Sequence, residues 1–169
     1  QFSNADMSGF TCCNGTAIES STKLQNSIYF KSVDNKALYV NLFVPSTLTW
    51  KEQDVVITQE TSFPREDHTK LTVNGKGKFE LNLRIPGWAT AGVELKINGK
   101  TQKIAIEAGS YLSLDRKWKN GDTIELKMPY TFHLDPIMDQ ENIASLFYGP
   151  VLLAAQEDAP RTDFRKITL

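Results

Sequence analysis

From Ser27 onward the side-chain pattern repeats every two residues and is interrupted at short intervals by turn residues. No other feature restricts the fold as much. In KFELNLRIP, Phe79, Leu81, Leu83 and Ile85 alternate with Glu80, Asn82 and Arg84. Successive side chains of a strand point to opposite faces, so this segment buries one face and wets the other, as antiparallel sheets do. SIYFKSV and KALYVNLFVP flank Asp34-Asn35 and read as a hairpin. Further strands are predicted in DVVITQE, KLTVNG, VELKING, KTQKIAI, YLSLDR, DTIELKMP and TFHLD. Between them stand Asn74-Gly75, Pro86-Gly87, Asn98-Gly99, Ala108-Gly109 and Asn120-Gly121, residues that adopt turn conformations at low steric cost. Short strands with a turn every 8–12 residues or so predict an all-β fold. The expected architecture is an antiparallel, jelly-roll-like β-sandwich over residues 27–156. ASLFYGPVLLAAQ is apolar throughout and reads as a central strand interrupted at Gly149-Pro150.

The rest of the chain has a different texture. Residues 1–15 are rich in Gly, Ser and Asn and read as loop. Thr16 to Asn26 predicts a short helix, with Thr16 and Glu19 spaced as a capping box. Residues 157–169 turn polar and read as a tail or as the start of a further domain. The expected organisation is therefore 1–26, 27–156 and 157–169. The chain opens QFSNADMSGF, with neither an initiator Met nor the basic start of a signal peptide, and reads as a piece of something longer.

Composition removes whole classes of function. The 169 residues suffice for one packed domain, and aromatics at 10% argue against disorder. A net charge of −1 leaves no basic face for nucleic acid. No apolar run approaches the roughly 20 residues of a membrane helix. No P-loop, dinucleotide fingerprint or serine nucleophile elbow occurs, nor a recognisable glycosidase pair of carboxylates.

The chemistry-bearing motif is Phe10-Thr11-Cys12-Cys13-Asn14-Gly15-Thr16. A disulfide between neighbours is strained, so the pair does not staple the fold. Standing before a helix start, the thiols are placed where the thiolate is favoured, and the thiolate is both the nucleophile and the soft metal ligand. From the residues alone, buried or incidental cysteines are the commoner explanation of the motif, and a metal or nucleophile role is the alternative. Two thiolates cannot close a tetrahedral zinc site. His68 and His133 read as surface or internally satisfied residues, the scattered carboxylates as solvated surface, and Trp50, Trp88 and Trp118 as covers over the ends of a core.

Taken in order, FTCCNGTAIES, SIYF, LYVNLFVPSTLTW, LRIPGWA, VELKING, GSYLSLDRKWKNGD, IELKMP and FYGPVLLAA give the chain a resemblance to a known group. It resembles the C-terminal half of the β-L-arabinofuranosidase-like glycoside hydrolases, families 127 and 146, from about Thr11 to Gln156. The resemblance implies a large (α/α)6 barrel upstream, of which residues 1–26 are the end, followed by β-sandwich domains. It implies that Cys12 is the catalytic nucleophile and a zinc ligand, and that Cys13 is a zinc ligand. The group's other zinc ligands, a glutamate and a third cysteine, lie upstream, as does its acid/base glutamate, so none is in this chain. Zinc is thus expected in the intact parent and not in this chain alone. The implied function is the C-terminal portion of a retaining glycoside hydrolase acting on arabinofuranose-containing glycans, inactive as a fragment. The competing expectation is a non-catalytic sandwich that binds carbohydrate or braces the barrel.

Overall fold

The structure, a computed structural model, describes residues 11–154, and the side chains of residues 15–154 apart from 21, 140 and 141. In chain order it contains helix α1 (Thr11–Lys23), a 3-10 turn (Leu24–Ser27), and strands β1 (Tyr29–Lys31), β2 (Ala37–Val40), β3 (Ser46–Trp50), β4 (Val55–Thr61), β5 (His68–Asn74), β6 (Gly77–Arg84), β7 (Glu94–Ile97), β8 (Lys100–Thr101), β9 (Tyr111–Trp118), β10 (Asp122–Lys127), β11 (Phe132–Ile137), β12 (Gln140–Tyr148) and β13 (Val151–Leu152). One sheet has the order β1-β2-β6-β9, the second β3-β4-β5-β10-β7-β8 and the third β11-β12-β13. The fold is the expected all-β sandwich, formed by the first two sheets.

The sandwich closes where alternation says it must. Leu38 and Val40 of β2 and Phe79, Leu81 and Leu83 of β6 join Ile57, Leu71, Val73, Ile124 and Leu126 of the facing sheet in one buried cluster. Each such side chain contributes roughly 1.5–3 kcal/mol by leaving water. Rings lock the two layers: Trp50 meets Phe79 edge-on at 5.2 Å, and Phe79 stacks on Trp118 at 5.9 Å. The Trp118 indole N–H donates to the Phe79 carbonyl at 3.0 Å, which satisfies the one polar atom of a buried ring.

One ladder departs from the antiparallel rule. β2 pairs with β6 in parallel, from Ala37↔Glu80 to Val40↔Leu83. After the β1–β2 hairpin the chain crosses to the second sheet for β3, β4 and β5, and only then returns beside β2. A long excursion of this kind is what a parallel pair requires. The Asn-Gly signals also have two outcomes. Asn98 (φ 52°) and Gly99 (φ 72°) form the tight β7–β8 hairpin, as two positive φ values allow. Asn74-Gly75 and Asn120-Gly121 instead carry the chain from one sheet to the other, and the two crossings are tied by the Gly75 N–H donating to Asn120 Oδ1 at 2.8 Å.

Several local expectations change. α1 is already helical at Thr11, so Thr11 to Gly15 belong to a helix rather than to a loop, and Thr16 is an interior residue rather than a cap. A single Gly in a helix costs about 1 kcal/mol relative to Ala, too little for Asn14-Gly15 to stop it. The Thr16 carbonyl accepts from Ser20 Oγ at 2.8 Å, and Glu19 pairs with Lys23 at 2.8 Å, one helical turn on. Of KTQKIAI only Lys100 and Thr101 form strand. Ser46 to Trp50 form β3, a strand not anticipated as such. Asn82, expected on the wet face of β6, is only 4% exposed, set between Tyr39 and Ser113 in the cross-strand row.

The C-terminal strands stand apart from the sandwich. β12 folds back at Gly149-Pro150 onto β13, and the three strands β11, β12 and β13 form their own sheet, with a register shift at Pro136/Ile137. The joint is Tyr130. Its ring meets Phe63, Trp88 and Tyr148 at 6.1, 5.5 and 5.6 Å, and its hydroxyl donates to the Glu66 carbonyl at 2.7 Å. Burial, with the Asp67 charge and Tyr148 adding, pushes the Tyr130 phenol up to about 12. Gly149 (φ 53°) lies against this ring, so close that a Cβ there would sit 2.5 Å from Tyr130 Cδ1. The expected tail or further domain from residue 157 lies outside the described residues.

Candidate functional site

Cys12 and Cys13 occupy consecutive positions near the start of the described part of α1; their side chains lie outside the described residues. Every described side chain of α1 is exposed, Ile18 at 70%. An amphipathic helix that packs on a sheet hides its apolar positions. Here the helix leads into β1 without burying any described side chain.

The histidines are placed elsewhere. His68 begins β5 at the sheet rim, with Glu66 at 3.4 Å and Asp67 at 3.7 Å. His133 lies on β11 and stacks on Phe147, ring centroids 5.3 Å apart and 14° from parallel. Its Nδ1 is buried and has no hydrogen-bond partner. Among the described residues no three His, Cys, Asp or Glu side chains gather into a metal-holding group. The tryptophans are packing residues: Trp50 and Trp118 are core, and Trp88 stacks on Phe63 at 6.3 Å. Trp50 and Trp118 offer no open ring face of the kind a sugar stacks on, and Trp88 is half-buried with one face on Phe63.

One carboxylate departs from the solvated-surface expectation. Asp122 is 7% exposed and accepts from the Lys119 N–H and from Asn98 Nδ2, both at 2.9 Å, with Arg116 at 4.0 Å. Burial pushes its carboxyl up, but these donors and the guanidinium outweigh burial and hold it below the ordinary carboxylate value. Asn98 Oδ1 in turn accepts from the Thr123 N–H at 2.8 Å, so this group fastens the β7–β8 turn to β10. Its role is architectural.

A cavity of about 600 Å3 lies on the outer face of the six-stranded sheet and is lined by Glu60, His68, Lys70, Glu94, Lys96 and Glu125 among others. The ladder registers explain its composition. Glu60 pairs with Lys70, Lys70 with Glu125, and Glu125 with Lys96, so one row crosses four strands with alternating charge. Opposite charges across a ladder stabilise it modestly, by roughly 0.2–1 kcal/mol a pair. Within the row Lys70 lies 3.6 Å from Glu60. The signal was present in the sequence as Glu and Lys at alternate positions of TQE, ELKI and IELK, but only the register shows that they share a row.

The geometry therefore yields a sandwich scaffold, preceded by a helix that bears two adjacent cysteines. Comparison with known proteins agrees with the sandwich. The family model of the GH127 β-L-arabinofuranosidase middle domain matches residues 37–130, just over half of the chain. The non-reducing end β-L-arabinofuranosidase of Bifidobacterium longum subsp. longum is 23% identical over 164 residues, covering 90% of this chain and 24% of that protein. A GH127 β-L-arabinofuranosidase structure from Geobacillus stearothermophilus T6 superposes with a TM-score of 0.72 at 29% identity, over 83% of this chain and 23% of that one. A second solved GH127 β-arabinofuranosidase shares the fold, with a TM-score of 0.72 at 23% identity, over 90% of this chain and 27% of that one. The chain thus spans about a quarter of the length of these relatives. With its strands β2 to β10 inside the matched segment, the chain belongs to the GH127 β-L-arabinofuranosidase middle-domain family.

Proposed function

We propose that the chain is the segment of a retaining, β-L-arabinofuranosidase-like glycoside hydrolase in which the end of the catalytic barrel passes into its supporting sandwich. The observation that carries this reading is the family match, with the adjacent cysteines on the helix that leads into the matched sandwich. The residues assigned to chemistry are Cys12, as nucleophile and zinc ligand, and Cys13, as zinc ligand. The donor type suits the metal, since thiolates are preferred zinc ligands, but two of them fill only half of a tetrahedral site. The other donors and the acid/base carboxylate belong to sequence outside this chain. When bound, zinc would keep the two thiols ionised near neutral pH. The Cys12 sulfur would attack the anomeric carbon as the glycosidic bond breaks, and a water would later displace the sugar from sulfur, retaining configuration. The substrate is an arabinofuranose-containing glycan, and its pocket belongs to the barrel. The sandwich braces that barrel. A bracing rather than a sugar-binding role is favoured by Trp50 and Trp118, which pack inward instead of lining an open platform.

In the complete enzyme, Cys12→Ser should abolish release of p-nitrophenol from an aryl β-L-arabinofuranoside. Cys13→Ser should act through loss of metal and be partly rescued by excess zinc. The 169-residue chain alone should release none and should retain little zinc after dialysis, by elemental analysis. An active Cys12→Ser enzyme would remove the thiolate mechanism, and tightly held zinc in the lone chain would mean that it supplies more ligands than assigned.

A further inference from the structure

The two methionines among the described residues stand in opposite surroundings. Met128, just after β10, is 0% exposed and packs in the core of the sandwich, whereas Met138 is 104% exposed. Met138 is at the tip of the β11–β12 hairpin. Ile137 pairs with Gln140, so Met138 and Asp139 form a two-residue turn. Asn98-Gly99 closes its hairpin with two positive φ values, but neither Met138 nor Asp139 adopts one. The turn therefore calls for no special residue, and a methionine enters it without strain. Beside the turn the ladder slips from Pro136↔Ala144 to Ile137↔Gln140, so residues 141–143 bulge from β12. Ile137 is 47% and Ile143 43% exposed, and the tip thus holds three apolar side chains in water.

Of these three, only the thioether has a reaction open to it. Its sulfur carries a lone pair that attacks the weak O–O bond of a peroxide, and access to the sulfur governs where that happens. Hydrogen peroxide is small and uncharged, so the neighbouring carboxylates of Asp135 and Asp139 do not repel it. The sulfur of Met128 is reached only when the core opens, which costs a large part of the stability of the whole fold.

We propose that Met138 is a site of oxidative modification, with hydrogen peroxide as the oxidant. The sulfur lone pair attacks one peroxide oxygen. An S–O bond forms as the O–O bond breaks, and the proton of the transferred oxygen passes to the departing hydroxide, which leaves as water. Sulfur loses two electrons and the peroxide gains them. The product is a sulfoxide, polar and chiral where the parent side chain is apolar and flexible, and reductases specific for each epimer reverse it. The hairpin tip changes from apolar to polar, while the fold keeps its stability, because a side chain wholly in water holds nothing together. The proposal is independent of the catalytic reading.

Both methionines fall in one tryptic peptide, from Met128 to Arg161, so its fragment ions report their oxidation side by side. In the folded 169-residue chain with dilute hydrogen peroxide, oxygen should add to Met138 at least ~100-fold faster than to Met128, and the two rates should become equal in urea. Retention on a hydrophobic-interaction column should shorten as Met138 reacts. The two sulfoxide reductases together should restore mass and retention, and Met138→Leu should remove the shortening. In the longer gene product the Met138 rate should stay within ~3-fold of that in the lone chain. Equal rates at the two methionines in the folded chain, or a Met138 that reacts only in urea, would overturn the proposal. So would a retention that peroxide leaves unchanged or that still shortens in Met138→Leu, or a Met138 that the rest of the longer polypeptide shields by ~10-fold or more.

Discussion

β6 in the sandwich and β11 in the third sheet are built on the same rule, apolar residues at every second position, yet they end in opposite states. Phe79, Leu81 and Leu83 of β6 are sealed between two sheets, whereas Phe132 and Leu134 of β11 face outward. The difference is not in the strands. Each has a full antiparallel neighbour, β9 for one and β12 for the other. β6 also has β2 on its other side while β11 is an edge strand, but what seals the apolar face of β6 is a facing layer. Alternation makes a strand amphipathic, and a second sheet turns that amphipathicity into stability.

Mutations on the two sides measure how much the facing layer contributes. Phe79→Ala removes a ring held between Trp50 and Trp118 and should cost about 3–5 kcal/mol, seen as a lowered urea midpoint at unchanged slope. A cost below 1 kcal/mol would mean that the core is not close-packed there. Gly149→Ala attacks the joint between the two regions. The left-handed backbone strains any side chain by roughly 1–2 kcal/mol, and the new methyl would press on Tyr130. Amide exchange across β12 should speed up while that of β6 stays slow; equal acceleration in both would show that sandwich and third sheet unfold together.

A smaller effect should appear in acid. The Asp122 carboxyl is held below its ordinary value of 3.8 in the folded state. Its stabilisation is therefore complete above that value and is lost as pH falls through the lower, folded pKa. Asp122→Asn should lower the melting temperature at neutral pH and flatten the loss of stability below about pH 4. An unchanged acid limb would put the acid sensitivity of the sandwich elsewhere. Smallest of all, Phe132→Ala and Ile18→Ala in the 169-residue chain should each change stability by less than about 0.5 kcal/mol, because both side chains already face water. A large loss from either would mean that its face is covered.

The strands were legible because their signal is local. Period-2 runs marked β1, β2, β4, β5, β6, β9 and β10 to within a few residues, since alternation follows from the geometry of the extended chain itself. The helix start was not legible. Asn14-Gly15 resembles a break, and only a small propensity penalty separates a break from a tolerated glycine. Of the site, the adjacent cysteines stood out by their rarity and the family by the order of its motifs. The alternating charges on the outer face of the six-stranded sheet were visible singly, but not as one row, because a row exists only once the register is set.

What the sequence by itself determined is the all-β class, the two-residue alternation of most strands and the points at which the chain turns. These depend on bond geometry, on glycine and asparagine tolerating positive φ, and on water rejecting apolar side chains, all of which act over a few residues. What only the tertiary structure decided is where each turn leads and which faces meet. Asn98-Gly99 closes a hairpin while Asn74-Gly75 and Asn120-Gly121 cross between sheets, β6 returns to run parallel with β2, and β11, β12 and β13 leave the sandwich. The same local conformations serve each of these outcomes. The choice among them is made by how much apolar surface the whole chain buries, a quantity that no short segment contains.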